Sequence, residues 1–122
     1  RKPAHHGAVF VLTKYNRHMN NVAPAIGTFY YHNKHDPNGP FNNYAYEILG
    51  IARHSEDKSQ LVMYRPLYEN TYLPPADCSV RPLEMFKENV VKEGISVPRF
   101  ARILDPEIIS ELKKIKVQMY PS

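Results

Sequence analysis

Eleven prolines fall within 122 residues, from Pro3 to Pro121. Each disfavours helix at the residue before it and removes a donor from any strand it interrupts. Regular structure must therefore fit into short segments between these breaks. The length allows one domain with a little over for tails. Nine Tyr and five Phe supply the bulk that a disordered chain lacks, so one modest core is expected.

Composition excludes several classes. The longest apolar run, Ala8 to Leu12, is far below the ~20 residues of a membrane span. Cys78 is the only cysteine, so a disulfide scaffold is excluded, and a lone thiol suits a reducing compartment. With 43% apolar and 23% charged residues, a soluble folded protein is expected. The net charge of +4 and the pI near 9.2 favour acidic partners without resembling a nucleic-acid-binding tail. The chain begins at Arg1 and not at Met, which suggests processing, trimming or partial representation. Removal of an organelle-targeting peptide is one explanation, and a mitochondrial setting is the expectation that follows.

Along the chain, Ala8, Val11, Leu12, Tyr15 and Met19 share one helical face, with a short strand from Ala8 to Thr13 as the alternative. Thr28 to His32 has strand composition, and Asn33 to Asn43 reads as a surface loop rich in turn dipeptides. Tyr44 to Ala52 forms the next strand, with Tyr44, Tyr46 and Ile48 on one face and Glu47, Leu49 and Ile51 on the other. Apolar residues on both faces indicate two-sided burial, or curvature at Gly50. A polar turn from His54 leads to the returning strand Leu61 to Arg65, which Pro66 ends, and Leu67 to Tyr72 continues as an edge. Pro74 to Asp77 is a second loop, and Val80-Arg81 is extended. Pro82 to Phe86 forms one helical turn with proline at its first position. Glu93-Gly94 between valines marks a small hairpin, and Phe100 to Ile103 closes the core region.

The final element has a clear signature. Asp105 caps, Pro106 takes the first helical position, and Ile108, Ile109, Leu112 and Ile115 form an apolar stripe. Lys113, Lys114 and Lys116 are expected to face away from it. The spacing predicts an amphipathic helix over 106–117. The fold class is therefore mainly β with flanking helices: a small, strongly bent antiparallel barrel over 27–103, an N-terminal extension over 1–26, and a helix and tail over 104–122.

Four blocks then carry a resemblance. Gly27-Thr28-Phe29-Tyr30 with His32 and Lys34, Tyr46 to Glu56, Leu61 to Tyr68, and Val80 to Phe86 followed by Val97-Pro98-Arg99-Phe100 occur in order. Over residues 27–103 the chain resembles the mostly bacterial family called domain of unknown function 1653. The resemblance implies an SH3-type small β-barrel and no activity, because the family has no established reaction. Two departures stand out. The Asn33 to Asn43 loop is longer than the family's connection. Asp77-Cys78-Ser79 stands where the family usually has an aromatic, often Trp, and this chain has no Trp.

No constellation specifies chemistry. His5-His6 lies near a terminus, and His32 and His35 sit at a strand end and a turn, so no zinc pattern emerges. Arg53-His54-Ser55-Glu56-Asp57 contains catalytic residue types, but five consecutive turn residues cannot converge on one substrate. Cys78 lacks an activating partner beyond Arg81. Arg65 and Arg81 each precede proline; they can pair with Glu47 or Glu84, stack on tyrosine, or receive an acidic ligand. Surface tyrosines beside arginine are typical of protein interfaces. The Lys113-Lys114-Ile115-Lys116 stripe reads as a solvated face that can touch anionic lipid or RNA peripherally.

The function expected is a non-catalytic interaction module, an accessory subunit of a larger protein assembly, with no metal and no cofactor. Its candidate interaction residues are Tyr46, Arg53, His54, Arg65, Tyr68 and Arg81. An RNA-binding barrel or an organellar ribosome-associated protein is the first rival; against it, no Lys/Arg-rich run interleaves with the tyrosines. A small-ligand or enzymatic domain around Arg53, His54, Arg65 and Arg81 is the second.

Overall fold

A computed structural model describes residues 23–69 and 78–121. The expected helix or strand at Ala8 to Met19, the His5-His6 pair, Tyr72 and the Pro74 to Asp77 loop lie outside the described residues. The described chain runs β1 (Phe29–His32), β2 (Ala45–Arg53), β3 (Gln60–Pro66), β4 (Ser79–Pro82), α1 (Leu83–Lys87), β5 (Asn89–Lys92), β6 (Ile95–Pro98), β7 (Phe100–Arg102) and α2 (Pro106–Met119). It is mainly β, with antiparallel sheets and a C-terminal helix, as the segment pattern predicts.

Five strands form one sheet in the order β4-β3-β2-β1-β7, and β5 and β6 form a separate hairpin. The β5–β6 turn is Glu93-Gly94, with both residues at positive φ (51° and 78°). That is the backbone demand of a type I′ turn, which glycine meets without a Cβ penalty.

Both faces of the large sheet are covered. On the first face Tyr30, Ile48, Val62, Tyr64 and Phe100 pack with Leu83 and Phe86 of α1. On the second, Phe29, Ala45, Leu67 and Ile103 pack with Leu112 of α2. Two-sided burial explains why β2 does not alternate cleanly between polar and apolar residues. A β-bulge adds to this: Ile48 pairs with Tyr64 but Gly50 pairs with Met63, so Leu49 is the extra residue. The bulge shifts the alternation by one, and Ile51 packs against the first-face core with Ile48, not opposite it as simple alternation predicts.

The sheet is rolled over its first face. A flat sheet would hold β4 and β7 about 19 Å apart, at ~4.8 Å per strand. Yet the Arg81 guanidinium of β4 stands 5.5 Å from the Phe100 ring of β7. Tyr64 of β3 also meets Phe100 with ring centroids 5.4 Å apart. The backbone ladder does not close, since β4 and β7 do not pair among the described residues. Side chains bridge the gap, led by Phe86 stacked on Phe100 at 4.2 Å.

The connecting segments are held by their own polar groups. In the 33–43 loop the Asn43 side chain accepts from Asp36 N–H at 2.8 Å and donates to the Asp36 and Pro40 carbonyls. His35 stacks on Tyr31 at 3.6 Å and donates to the Asn43 carbonyl. At the β2–β3 hairpin Asp57 accepts from both N–H and Oγ of Ser59, a capped turn of the kind expected there. Leu67 and Tyr68 form a bend and do not extend the edge as expected; Leu67 is fully buried. Pro82 caps α1 from the preceding position and is not its first helical residue.

Helix α2 begins as predicted, with Asp105 Oδ1 accepting from Glu107 N–H at 2.9 Å and Pro106 in the first turn. The expectation for Lys116 is overturned. Its Nζ lies 2.6 Å from Oε2 of Glu47, a carboxylate only 2% exposed. A buried charge needs a partner, and this one draws the helix lysine inward. Leu112→Ala empties a filled site and is expected to cost about 3 kcal/mol in urea unfolding. Val117→Ala, at a position 67% exposed, is expected to stay within about 0.5 kcal/mol.

Candidate functional site

Register places a row of chemistry-bearing residues on the first face. His32 pairs with Phe100, Tyr30 with Tyr46, Ile48 with Tyr64, and Val62 with Arg81. Paired antiparallel residues share a face, and the roll of the sheet gathers these side chains together. Tyr46 meets Tyr64, Tyr68 and Phe100 edge-on at 5.3, 5.6 and 5.9 Å. Tyr44 meets Tyr68 at 5.3 Å, and His32 meets Phe100 at 5.1 Å and Tyr44 at 6.0 Å. The edge-to-face contacts of Tyr46, and that of His32 with Phe100, orient these rings beyond what area burial supplies. Tyr44, Tyr46, Tyr68, His32 and Arg81 are half-buried, so this cluster reaches the surface.

The polar groups are ordered. Tyr46 and Tyr68 hydroxyls share a hydrogen bond of 2.5 Å. Arg81 Nε donates to the Tyr64 hydroxyl at 3.2 Å. Burial, and then the bond to Tyr68, raise the Tyr46 phenol well above its usual range. It stays protonated at neutral pH and serves as a hydrogen-bonding group, not as a base.

Cations surround the His32 end of the cluster. Asn33 donates its N–H to the Arg99 carbonyl, and Lys92 Nζ donates to the Asn33 carbonyl. Burial first, then the charges of Arg81, Lys34, Arg99 and Lys92, push the His32 imidazole down to about 4. Its Nδ1 accepts from the Lys34 N–H at 3.1 Å, so the proton of the neutral ring resides on Nε2. Arg99 is neutralised by Glu88 at 2.6 Å. Arg81, Lys34 and Lys92 have no carboxylate partner among the described residues.

The six residues singled out from sequence therefore separate. Tyr46, Tyr68 and Arg81 meet on the first face. Arg65 lies on the second, where its Nε binds Glu47 Oε1 at 2.9 Å and its guanidinium stacks on Tyr120 at 3.8 Å, the carboxylate-and-tyrosine pairing anticipated for it. Arg53 is exposed at the end of β2. His54 belongs to the hairpin turn, with Nδ1 accepting from Glu56 N–H at 3.1 Å. His32, Lys34, Tyr44, Lys92 and Phe100 were missed as site residues. The signal that could have found them is antiparallel register, which sets His32 opposite Phe100.

Among the described residues, no group of three or more His, Cys, Asp or Glu could hold a metal ion. Cys78 is exposed just before β4. No helix among them is long and apolar enough to cross a membrane. The chemistry on offer is stacking on phenol rings, hydrogen bonding to hydroxyls, and attraction of negative charge.

Neutral His32 has a consequence for pH. Its folded value lies below the ~6.5 of an exposed histidine, so its contribution is present above pH ~6.5 and is lost as pH falls towards the folded value. NMR titration of the His32 ring is expected to show a midpoint near 4. In His32→Gln, the loss of stability between pH 6.5 and 4 should be shallower in urea unfolding.

Comparison with known proteins bears on residues 29–102. That range matches the model of the family described as protein of unknown function (DUF1653). A crystal structure of a family member from Bordetella bronchiseptica is similar at 32% identity, with a TM-score of 0.51, over 68% of this chain and 94% of that one. No curated protein matches significantly. The matched range contains every residue of the cationic aromatic face and stops short of α2. This chain is a member of the DUF1653 family.

Proposed function

We propose that the chain is a non-catalytic protein-interaction module, an accessory subunit of a larger assembly, whose first face receives an acidic segment of a partner. One observation carries this reading: half-buried Tyr46, joined to Tyr44 through Tyr68, meets Tyr64 and Phe100, the two rings that Arg81 also touches, and cations at the His32 end lack carboxylate partners among the described residues. Tyrosine and arginine are enriched where interfaces concentrate their energy. Unpaired cations at the rim supply complementarity to an acidic partner and accelerate encounter.

An SH3-like barrel over 27–103 is the architecture belonging to this proposal. The bulge at Leu49 and the approach of Arg81 to Phe100 across the sheet support it. The mitochondrial setting belongs to the proposal too, and the basic balance suits it.

Single-stranded RNA is the second reading. The sequence lacks a Lys/Arg-rich run among the tyrosines, but the fold brings Lys34, Lys92 and Arg99 to the rings from three separate segments. Bases stack on such rings, and phosphates follow such charges.

The test is gentle sizing of the native protein from its source, with mass spectrometry of what co-migrates. Elution with protein partners is expected, and elution alone near 14.1 kDa overturns the proposal. Lys34→Glu, at an exposed position, is expected to weaken partner binding roughly tenfold at low salt with unchanged circular dichroism. If an oligonucleotide binds instead, with affinity falling steeply with salt, the RNA reading replaces it.

A further inference from the structure

The first face has a place where the partner's charge would go. Arg81 commits Nε to the Tyr64 hydroxyl, and its two terminal nitrogens have no carboxylate among the described residues. His32 commits Nδ1 to the Lys34 N–H and keeps Nε2 as a donor. Both side chains flank one ring: the Arg81 guanidinium is 5.5 Å from the Phe100 centroid and the His32 ring 5.1 Å from it. Lys34 follows two residues after His32 and, with Lys92, adds charge at the same end. Each of these groups can donate, and Glu88, which lies beside Arg99, is taken by it.

We propose that Arg81, His32 and Lys34 form a subsite for a single oxyanion, the carboxylate of an acidic side chain on the partner. This rests on the partner-binding reading and names what the face recognises. A carboxylate fits because the free edge of the guanidinium presents parallel donors at carboxylate spacing. His32 remains neutral while the site is empty, so it donates one hydrogen bond without adding repulsion to Arg81, Lys34, Lys92 and Arg99. A trimethylated lysine, the usual guest of an aromatic cage, is rejected by those same charges. Linkage follows. A bound anion favours the imidazolium, so binding strengthens as pH falls from 7 towards 5.

The experiment titrates the isotope-labelled full chain with sodium sulfate, whose charge is constant across this range, and reads NMR shifts. Shifts are expected to centre on Arg81 Nε, the His32 ring and the Lys34 amide, with sulfate binding at least threefold tighter at pH 5 than at pH 7. Arg81→Gln and His32→Gln are each expected to weaken it roughly fivefold. Shifts spread evenly over Lys113, Lys114 and the other surface lysines, or indifference to both variants, overturn the subsite. Should Arg81→Gln unfold, His32→Gln and Lys34→Gln decide alone. In a second arm, a glutamate-rich peptide and its phosphoserine counterpart compete with sulfate. Tighter binding of the phosphopeptide overturns the carboxylate assignment. Partners recovered by sizing that bind His32→Gln and Lys34→Gln as tightly as wild type sink the subsite and leave the module reading standing. Sulfate focused on these residues with no partner recovered does the reverse.

Discussion

The buried carboxylate of Glu47 is the constraint on which the second face depends. It is 2% exposed near the start of β2, where an unpaired charge would be intolerable. Arg65 from β3 and Lys116 from α2 each bind one of its oxygens, at 2.9 and 2.6 Å. The first contact locks the β2–β3 register at Glu47 opposite Arg65. The second fixes the rotation and axial position of α2 on the sheet, which oily packing of Leu112 alone would specify less sharply. Tyr120 completes the anchorage, stacking on Arg65 and donating to the Pro66 carbonyl at 2.6 Å.

With α2 holding one face, the sheet can roll on the other. The roll turns a list of residues from separate strands into a site. Arg81 and Phe100 sit on opposite edges of the sheet, and only curvature lets them meet. The bulge at Leu49 supplies curvature where β2 must bend while keeping both Ile48 and Ile51 in the core. The result is a tyrosine-rich surface whose hydroxyls are ordered by one another and whose charge is positive.

Local signals were legible in the sequence. The Asp105-Pro106 start, the Ile108 to Ile115 stripe, the Glu93-Gly94 turn and the strands expected at Thr28, Tyr44 and Leu61 all rest on neighbours within a few residues, and the structure bears them out. What sequence concealed is nonlocal. Nothing near Lys116 announces a buried glutamate 69 positions earlier, so its inward turn was invisible. The bulge was hinted by Gly50, but its effect on Ile51 needed the register. Arg53 and His54 drew notice through residue type, yet they belong to a turn, while His32 and Phe100 looked ordinary until β1 and β7 were paired.

The order of strands in space also sets an order in time. β2, β3 and β1 pair with near neighbours along the chain, but β7 joins β1 across the whole domain, Tyr31 opposite Ala101. Such long-range pairing is slow, because loop closure precedes the contacts that reward it. During synthesis the β1–β3 meander emerges first, with Glu47 held by Arg65 alone. The lysine that completes its ion pairs, Lys116, is made 51 residues after Arg65. The second face can therefore mature only once α2 has been made, and a product truncated before α2 would carry a half-neutralised charge in a bare apolar face.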